Sequence, residues 1–105
     1  MRLNKDTDPV IEFRDFKCFM ELTEYDLNGR TAILLHEIDD EDSGLVAVAT
    51  INIPDAKVGM NEVLIKDWSE NEGMVEALQR AGVIGPVLDM VPAGNTAASK
   101  HELLI

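Results

Sequence analysis

One cysteine, one tryptophan, one tyrosine and three phenylalanines stand in 105 residues, and positive charge is also scarce: 9 Lys and Arg against 20 Asp and Glu, a net of −11 at pH 7. Each shortage excludes something. The lone thiol, Cys18, can neither close an internal disulfide nor supply a cysteine cluster, and it fits a reducing cytoplasm. Its place in an alternating apolar stretch reads as a small buried side chain. The two histidines, His36 and His101, lie most of the chain apart, so no ligand spacing is present and no metal is expected. The longest apolar runs, such as Leu45 to Ala49, fall far short of the ~20 residues of a membrane helix. The N-terminal residues lack the apolar core of an export signal, so a non-exported, cytoplasmic protein with no membrane partner is expected.

The acidity is unevenly placed. Between Thr31 and Glu76 stand 11 of the 20 carboxylates against Lys57 and Lys66 alone, so this segment holds nine of the eleven net negative charges. An imbalance of that size acts on solubility and on the choice of partner rather than on fold, and it works against direct binding of nucleic acid. With 46% hydrophobic residues the chain nevertheless has the composition of a folded protein. Its length fits one domain, expected over residues 9–105 behind a polar, unpatterned arm at 1–8.

Pattern then assigns elements. A short strand is expected at Val10–Phe13. Phe16, Cys18, Met20 and Leu22 alternate with more polar neighbours, the period of a strand with one buried face, running on toward Tyr25. Asn28-Gly29 reads as a type I′ hairpin turn into Arg30–Ile38. The turn Asp39–Gly44 leads to Leu45–Ile53, apolar on both alternating sets and therefore expected to be central and covered on both faces. Pro54 ends it, Asp55–Asn61 form a loop, and Glu62–Lys66 make another strand. Ser69 and Glu72 match a capping box, in which Ser69 Oγ accepts from the Glu72 N–H and the Glu72 carboxylate accepts from the Ser69 N–H. The apolar stripe Met74, Ala77, Leu78, Ala81 and a terminal Gly82 then predict a helix over 70–81. Beyond it, Val87–Val91 reads as an edge strand, Asn95–Ser99 as a loop and Glu102–Ile105 as a last strand. The expected fold is α+β: an antiparallel sheet of about five strands in a meander with one α-helix packed on one face.

Motifs of chemistry are weak. Asp39 to Gly44 resembles the start of a calcium loop, but its twelfth position is Thr50 where a bidentate Glu is required. A catalytic nucleophile, base and orienting group are not visible together, so neither an enzyme nor a cofactor is expected. What remains is carboxylates. Glu37, Asp39, Asp40, Glu41 and Asp42 form one group, and Asp67, Glu70, Glu72 and Glu76 gather at the expected helix start, where some serve the helix dipole. If the two groups share a face they present a field like that of a nucleic-acid backbone, which a basic groove could accept.

The run Ile65-Lys66-Asp67-Trp68-Ser69-Glu70-Asn71-Glu72-Gly73-Met74, followed by Glu76-Ala77-Leu78, Ala81-Gly82-Val83 and Pro92-Ala93-Gly94, resembles a family of small uncharacterised proteins carried on bacterial phages, plasmids and conjugative elements. Many of its members have Tyr at the position of Trp68. Thr50-Ile51-Asn52-Ile53-Pro54 also looks like that family's strand-ending segment, so the likeness spans about half of the chain, Thr50 to Gly94. The family brings no activity or catalytic residue. Its genomic setting implies an analogy in size and charge with anti-restriction and anti-CRISPR factors, some of which imitate nucleic acid.

The leading expectation is a non-enzymatic protein of a mobile element. Its acidic face, Glu37, Asp39, Asp40, Glu41, Asp42, Asp67, Glu70 and Glu72, would occupy a basic protein surface, the nucleic-acid site of a host defence protein. The alternative is an accessory adaptor that binds another protein, or a second copy of itself, through an apolar sheet face, with acidity serving solubility.

Overall fold

The computed structural model describes residues 9–38 and 44–105. The arm at 1–8 and the turn residues 39–43 lie outside the described residues. Four strands, β1 (Ile11–Phe13), β2 (Phe16–Glu24), β3 (Thr31–Glu37) and β4 (Leu45–Val48), form an antiparallel meander in that order. A second sheet follows, in which β5 (Glu62–Ile65) and β6 (Ile84–Ala93) flank β7 (Thr96–Leu103), and the single α-helix, α1 (Met74–Arg80), lies in sequence between β5 and β6. The protein is thus α+β, but the expected single sheet of about five strands is corrected to two sheets of four and three. They meet where Thr50 bridges Ile65, with the Ile51 N–H donating to Leu64 O at 3.1 Å and the Lys66 N–H to Ala49 O at 2.9 Å. Met74, Ala77 and Leu78 of α1 close one core with Ile11, Met20, Ile33 and Leu35 of the first sheet and Val63, Ile65 and Ile84 of the second. Among the described residues no helix is long and apolar enough to cross a membrane.

The alternation in β2 is realised in part: Cys18 and Met20 are fully buried and Leu22 packs on the core, but Phe19 of the opposite set is also buried, stacked on His36, and Phe16, at the start, is 40% exposed. Register carries the pattern across, Met20 facing Leu35 and Leu22 facing Ile33. The β2–β3 connection is longer than the two-residue turn expected of Asn28-Gly29. Tyr25 N–H donates to Arg30 O at 2.9 Å and Gly29 N–H to Tyr25 O at 2.8 Å, and only Gly29 (φ +71°) is left-handed. Asn28 is engaged otherwise: Oδ1 accepts from the Arg30 N–H and Nδ2 donates to Asn52 Oδ1.

Leu45–Ile53 is not a central strand covered on both faces. β4 stops at Val48 on the outside of the first sheet, with Leu45 55% and Val48 39% exposed; Ala47 turns into the core, and Ala49 and Thr50 are buried at the joint of the sheets. One apolar run serves two neighbourhoods, so its uniform hydrophobicity hides a change of partner.

The start of the helix also differs. Ser69–Asn71 is a single 3₁₀ turn, Ser69 itself is left-handed (φ 58°), and α1 begins only after Gly73 (φ +95°). Ser69 therefore does not act as the cap. The Asp67 carboxylate does: Oδ1 accepts from Gly73 N–H at 2.8 Å and Oδ2 from Val75 N–H at 2.9 Å. The other end is as expected, with Gly82 (φ +76°) after the last turn and the Val83 N–H reaching Leu78 O at 2.9 Å, a Schellman closure.

The largest correction concerns residues 84–103. The short edge strand, loop and final strand are one long hairpin, β6–β7, turned at Gly94-Asn95 with Gly94 at φ +63°. β7 is flanked on both sides, and its small residues Ala98 and Ser99 are buried. Smallness, which reads as loop in one dimension, suits a crowded middle strand.

Candidate functional site: an acidic end and a groove beside β1

The eight carboxylates expected to bind a partner divide. Asp39, Asp40, Glu41 and Asp42 lie outside the described residues, as does most of the calcium-like turn. Glu37 ends β3, half-buried, opposite Cys18, and its N–H donates to Gly44 O at 2.9 Å. Asp67 is committed to the helix cap. Glu70 is exposed and paired with Lys66 Nζ, whose hydrogen bond, helped by bonds from the Glu70 backbone and Ser69, holds its carboxyl down at about 2. Lys66 also lies over the Trp68 ring, 6.0 Å from its centroid. Glu72 is exposed, and Glu76 is paired with Arg80. The helix-start carboxylates therefore stand interleaved with Lys66 and Arg80 rather than as an unbroken acidic surface.

Their position is nonetheless shared with the β3–β4 connection. The Phe13–Phe16 pairing puts the β1–β2 turn, Arg14-Asp15, at the same end of the first sheet as Ile38, whose N–H donates to Lys17 O. Arg14 Nη2 reaches Ser69 O at 3.3 Å and Glu72 O at 3.5 Å, bringing the helix start to that end. Both acidic segments of the sequence thus attach to one end of the sheet.

A groove runs from there along β1. One hollow of about 320 Å³ is lined by Glu12, Phe13 and Arg14 on one side and Glu72, Gly73, Glu76, Ala77 and Arg80 on the other. A second, of about 200 Å³, continues it past Val10 and Ala81 and shares Glu12, Ala77 and Arg80. Sequence reading singled out neither Glu12, Arg14 nor Arg80. They carry no motif, and only the crossing of α1 beside β1 brings them together.

Histidine chemistry is internal. His36 Nε2 meets Glu21 Oε1 at 2.8 Å and its ring stacks on Phe19, centroids 5.3 Å apart. His101 is fully buried, with Nδ1 2.9 Å from Gly85 O and Nε2 2.8 Å from Ser99 Oγ. The carbonyl can only accept, so Nδ1 donates to Gly85 O, and Nε2 lies within hydrogen-bond reach of the Ser99 hydroxyl. A hydroxyl, an imidazole and an orienting acceptor are thus aligned as in a nucleophile–base pair. Burial closes this pair to chemistry: with Ser99 only 8% exposed and His101 not at all, the array instead ties β7 to β6 where their register shifts between Ile84 and Val87. No group of three or more His, Cys, Asp or Glu among the described residues is placed to hold a metal ion.

No family model, curated protein or solved structure matches this chain.

On β6, Val87, Leu88 and Met90 are 54–55% exposed, and Met60 nearby is 97% exposed. Met60, Pro86 and Leu88 border another shallow hollow. This is the apolar surface the alternative reading requires, although it lies on β6 rather than on Leu45–Ile53.

Proposed function

We propose that the chain is a non-enzymatic binding protein whose acidic end captures a basic protein surface. One observation supports this reading: Ile38 and Gly44, which bracket residues 39–43 of the sequence, lie at the same end of the first sheet as the turn that carries Arg14, and Arg14 reaches the helix start there. A net charge of −11 steers a cationic partner toward the chain and repels anionic ones. With the resemblance of residues 50–94 to mobile-element proteins, the partner takes the form of a host defence protein whose nucleic-acid site is basic, and the chain an inhibitor that imitates nucleic acid there.

The test is capture from bacterial lysate by the immobilised chain. Capture at low salt should be lost as salt approaches about 0.5 M, where the Debye length falls toward a few ångströms. It should also be lost when Glu37, Asp39, Asp40, Glu41, Asp42, Glu70 and Glu72 are changed to Lys, with Asp67 left in place because it caps α1. Capture undiminished by both treatments removes the acidic reading. The exposed Val87, Leu88 and Met90 support a second reading, an adaptor docking through the outside of β6. Its binding would persist in salt and fall with Leu88→Ser and Met90→Ser.

A further inference from the structure

We infer that the groove between β1 and α1 is a docking site for an extended, basic segment of a protein partner, which adds to β1 as an extra strand. The inference rests on the reading of a basic protein partner and places part of that partner in a defined site. Of the four edge strands, β4 and β5 lie on the side of the Thr50–Ile65 joint, and β1 and β6 edge the two sheets on the sides away from it. Their free backbone differs. In β6, Pro86 and Pro92 have no N–H, Asp89 Oδ1 accepts the Met90 N–H at 2.8 Å, and the register shifts between Ile84 and Val87 and between Val87 and Asp89. Proline, an edge carboxylate and bulges are the devices that block strand addition.

β1 carries no such block. Phe13 and Phe16 close the two-residue turn and so form the pair that exchanges hydrogen bonds; the next pair, Glu12 and Lys17, does not. The N–H and C=O of Glu12 point off the sheet, and among the described residues no backbone bond outside the strand ladder engages them. Glu12 is exposed. Facing that edge, α1 supplies a wall whose apolar floor is Val10, Ala77 and Ala81. An edge strand beside a helix is a recurrent setting for binding an extended peptide, in which main-chain bonds give affinity and alternate side chains give specificity.

Charge identifies the occupant. The groove sets Glu12, Glu72 and Glu76 against Arg14 and Arg80, so carboxylates exceed cations by one; Arg80 is paired with Glu76, while Arg14 bonds the uncharged carbonyls of Ser69 and Glu72. Among the described residues the carboxylates of Glu12 and Glu72 are engaged by no side chain. A strand laid on β1 would therefore place Lys or Arg toward Glu12 and Glu72 and small apolar side chains toward Val10 and Ala77, a cross-strand pairing of opposite charge.

A random decapeptide display library selected against the immobilised full chain tests this. Selected peptides, synthesised and titrated against isotope-labelled protein, should alternate Lys or Arg with apolar residues and shift amides in Val10–Arg14 and Gly73–Ala81. Glu12→Pro removes the outward N–H without touching a β1–β2 bond, and should weaken binding about tenfold or more; Glu12→Gln, which removes charge alone, should weaken it only a few fold. N-methylation of alternate peptide amides should abolish binding with the protein unaltered, which keeps the test decisive if Glu12→Pro unfolds. Failure to select peptides, amide shifts confined to β6, or unchanged affinity after N-methylation at every position overturns the groove. If lysate capture stays salt-sensitive while the groove fails, only this inference falls. If capture ignores salt and charge reversal, the proposed function falls with it.

Discussion

β6 and β1 each edge a sheet on the side away from the Thr50–Ile65 joint, and they expose opposite things. β6 is ten residues long and shows apolar side chains to solvent from Val87 to Met90, yet its backbone is guarded by Pro86, Pro92 and Asp89. β1 is three residues long and buries Ile11 and Phe13 almost completely, yet the backbone of Glu12 is open toward the groove. A strand's capacity to dock another strand thus depends on unengaged main-chain groups, not on the apolar area it displays. The brevity of β1 and the charge of Glu12 also narrow what can add there, which makes the open edge selective.

The largest effect expected from breaking this contrast is in stability. Ile11→Ala removes a fully buried side chain that anchors β1 and should cost about 2–5 kcal/mol in urea denaturation, whereas Leu88→Ala on β6 should change stability by less than about 0.5 kcal/mol. Equal costs would mean that β6 is covered in the native protein. Next is assembly. With Pro86→Thr, Asp89→Ser and Pro92→Thr combined, β6 should become adhesive and the sedimentation coefficient should rise with concentration; a variant whose sedimentation matches the parent's at every concentration would show that those residues are not the guard.

Asp67→Ala should cost about 1–2 kcal/mol through loss of the cap that sets the helix wall of the groove, and Ser69→Ala far less. The reverse order would restore Ser69 as the capping residue. Arg14 holds a left-handed backbone (φ 54°) at the β1–β2 turn, so Arg14→Gly should stabilise by about 0.5–1 kcal/mol while loosening the helix start, a gain readable in thermal melts.

The smallest effect is one of pH. Cys18 lies opposite Ile11, and burial, assisted by the Glu37 carboxylate, pushes its thiol up to about 11. Because the folded state holds this proton more tightly than the unfolded chain, the contribution is complete below the ordinary value of 9.0 and is lost as pH rises through about 11. Stability should decline over that interval in the parent and not in Cys18→Ala. Thiol labelling at pH 8 should be slow, and faster in Ile11→Ala as β1 loosens.

Much of this could be read from particular residues. The alternation Cys18, Met20, Leu22 places β2, and Gly82 marks the end of the helix, because each depends on neighbours within a few positions. The helix start misleads for the same reason. Ser69 and Glu72 have the spacing of a capping box, but Gly73 breaks the helix between them and α1, and Asp67 bonds to groups six and eight residues ahead, a reach no local pattern encodes. Gly94-Asn95 is a recognisable hairpin dipeptide, yet Ala97, Ala98 and Ser99 hide the strand behind it. The acidic segments are plain in one dimension; the groove is not, since Glu12 and Arg80 have no relation before the chain folds.

By itself the sequence determined the charge, the absence of disulfide and metal-cluster spacing, the strands with a clean period of two and the point where the helix stops, all set by composition or by short-range backbone preference. Tertiary structure decided the division into two sheets, the capping role of Asp67, the sealing of Ser99 and His101, and which outer strand keeps its backbone free. Those depend on where distant segments cross, and crossing is governed by the shared burial of Ile11, Leu35, Ile65 and Leu78 in one core.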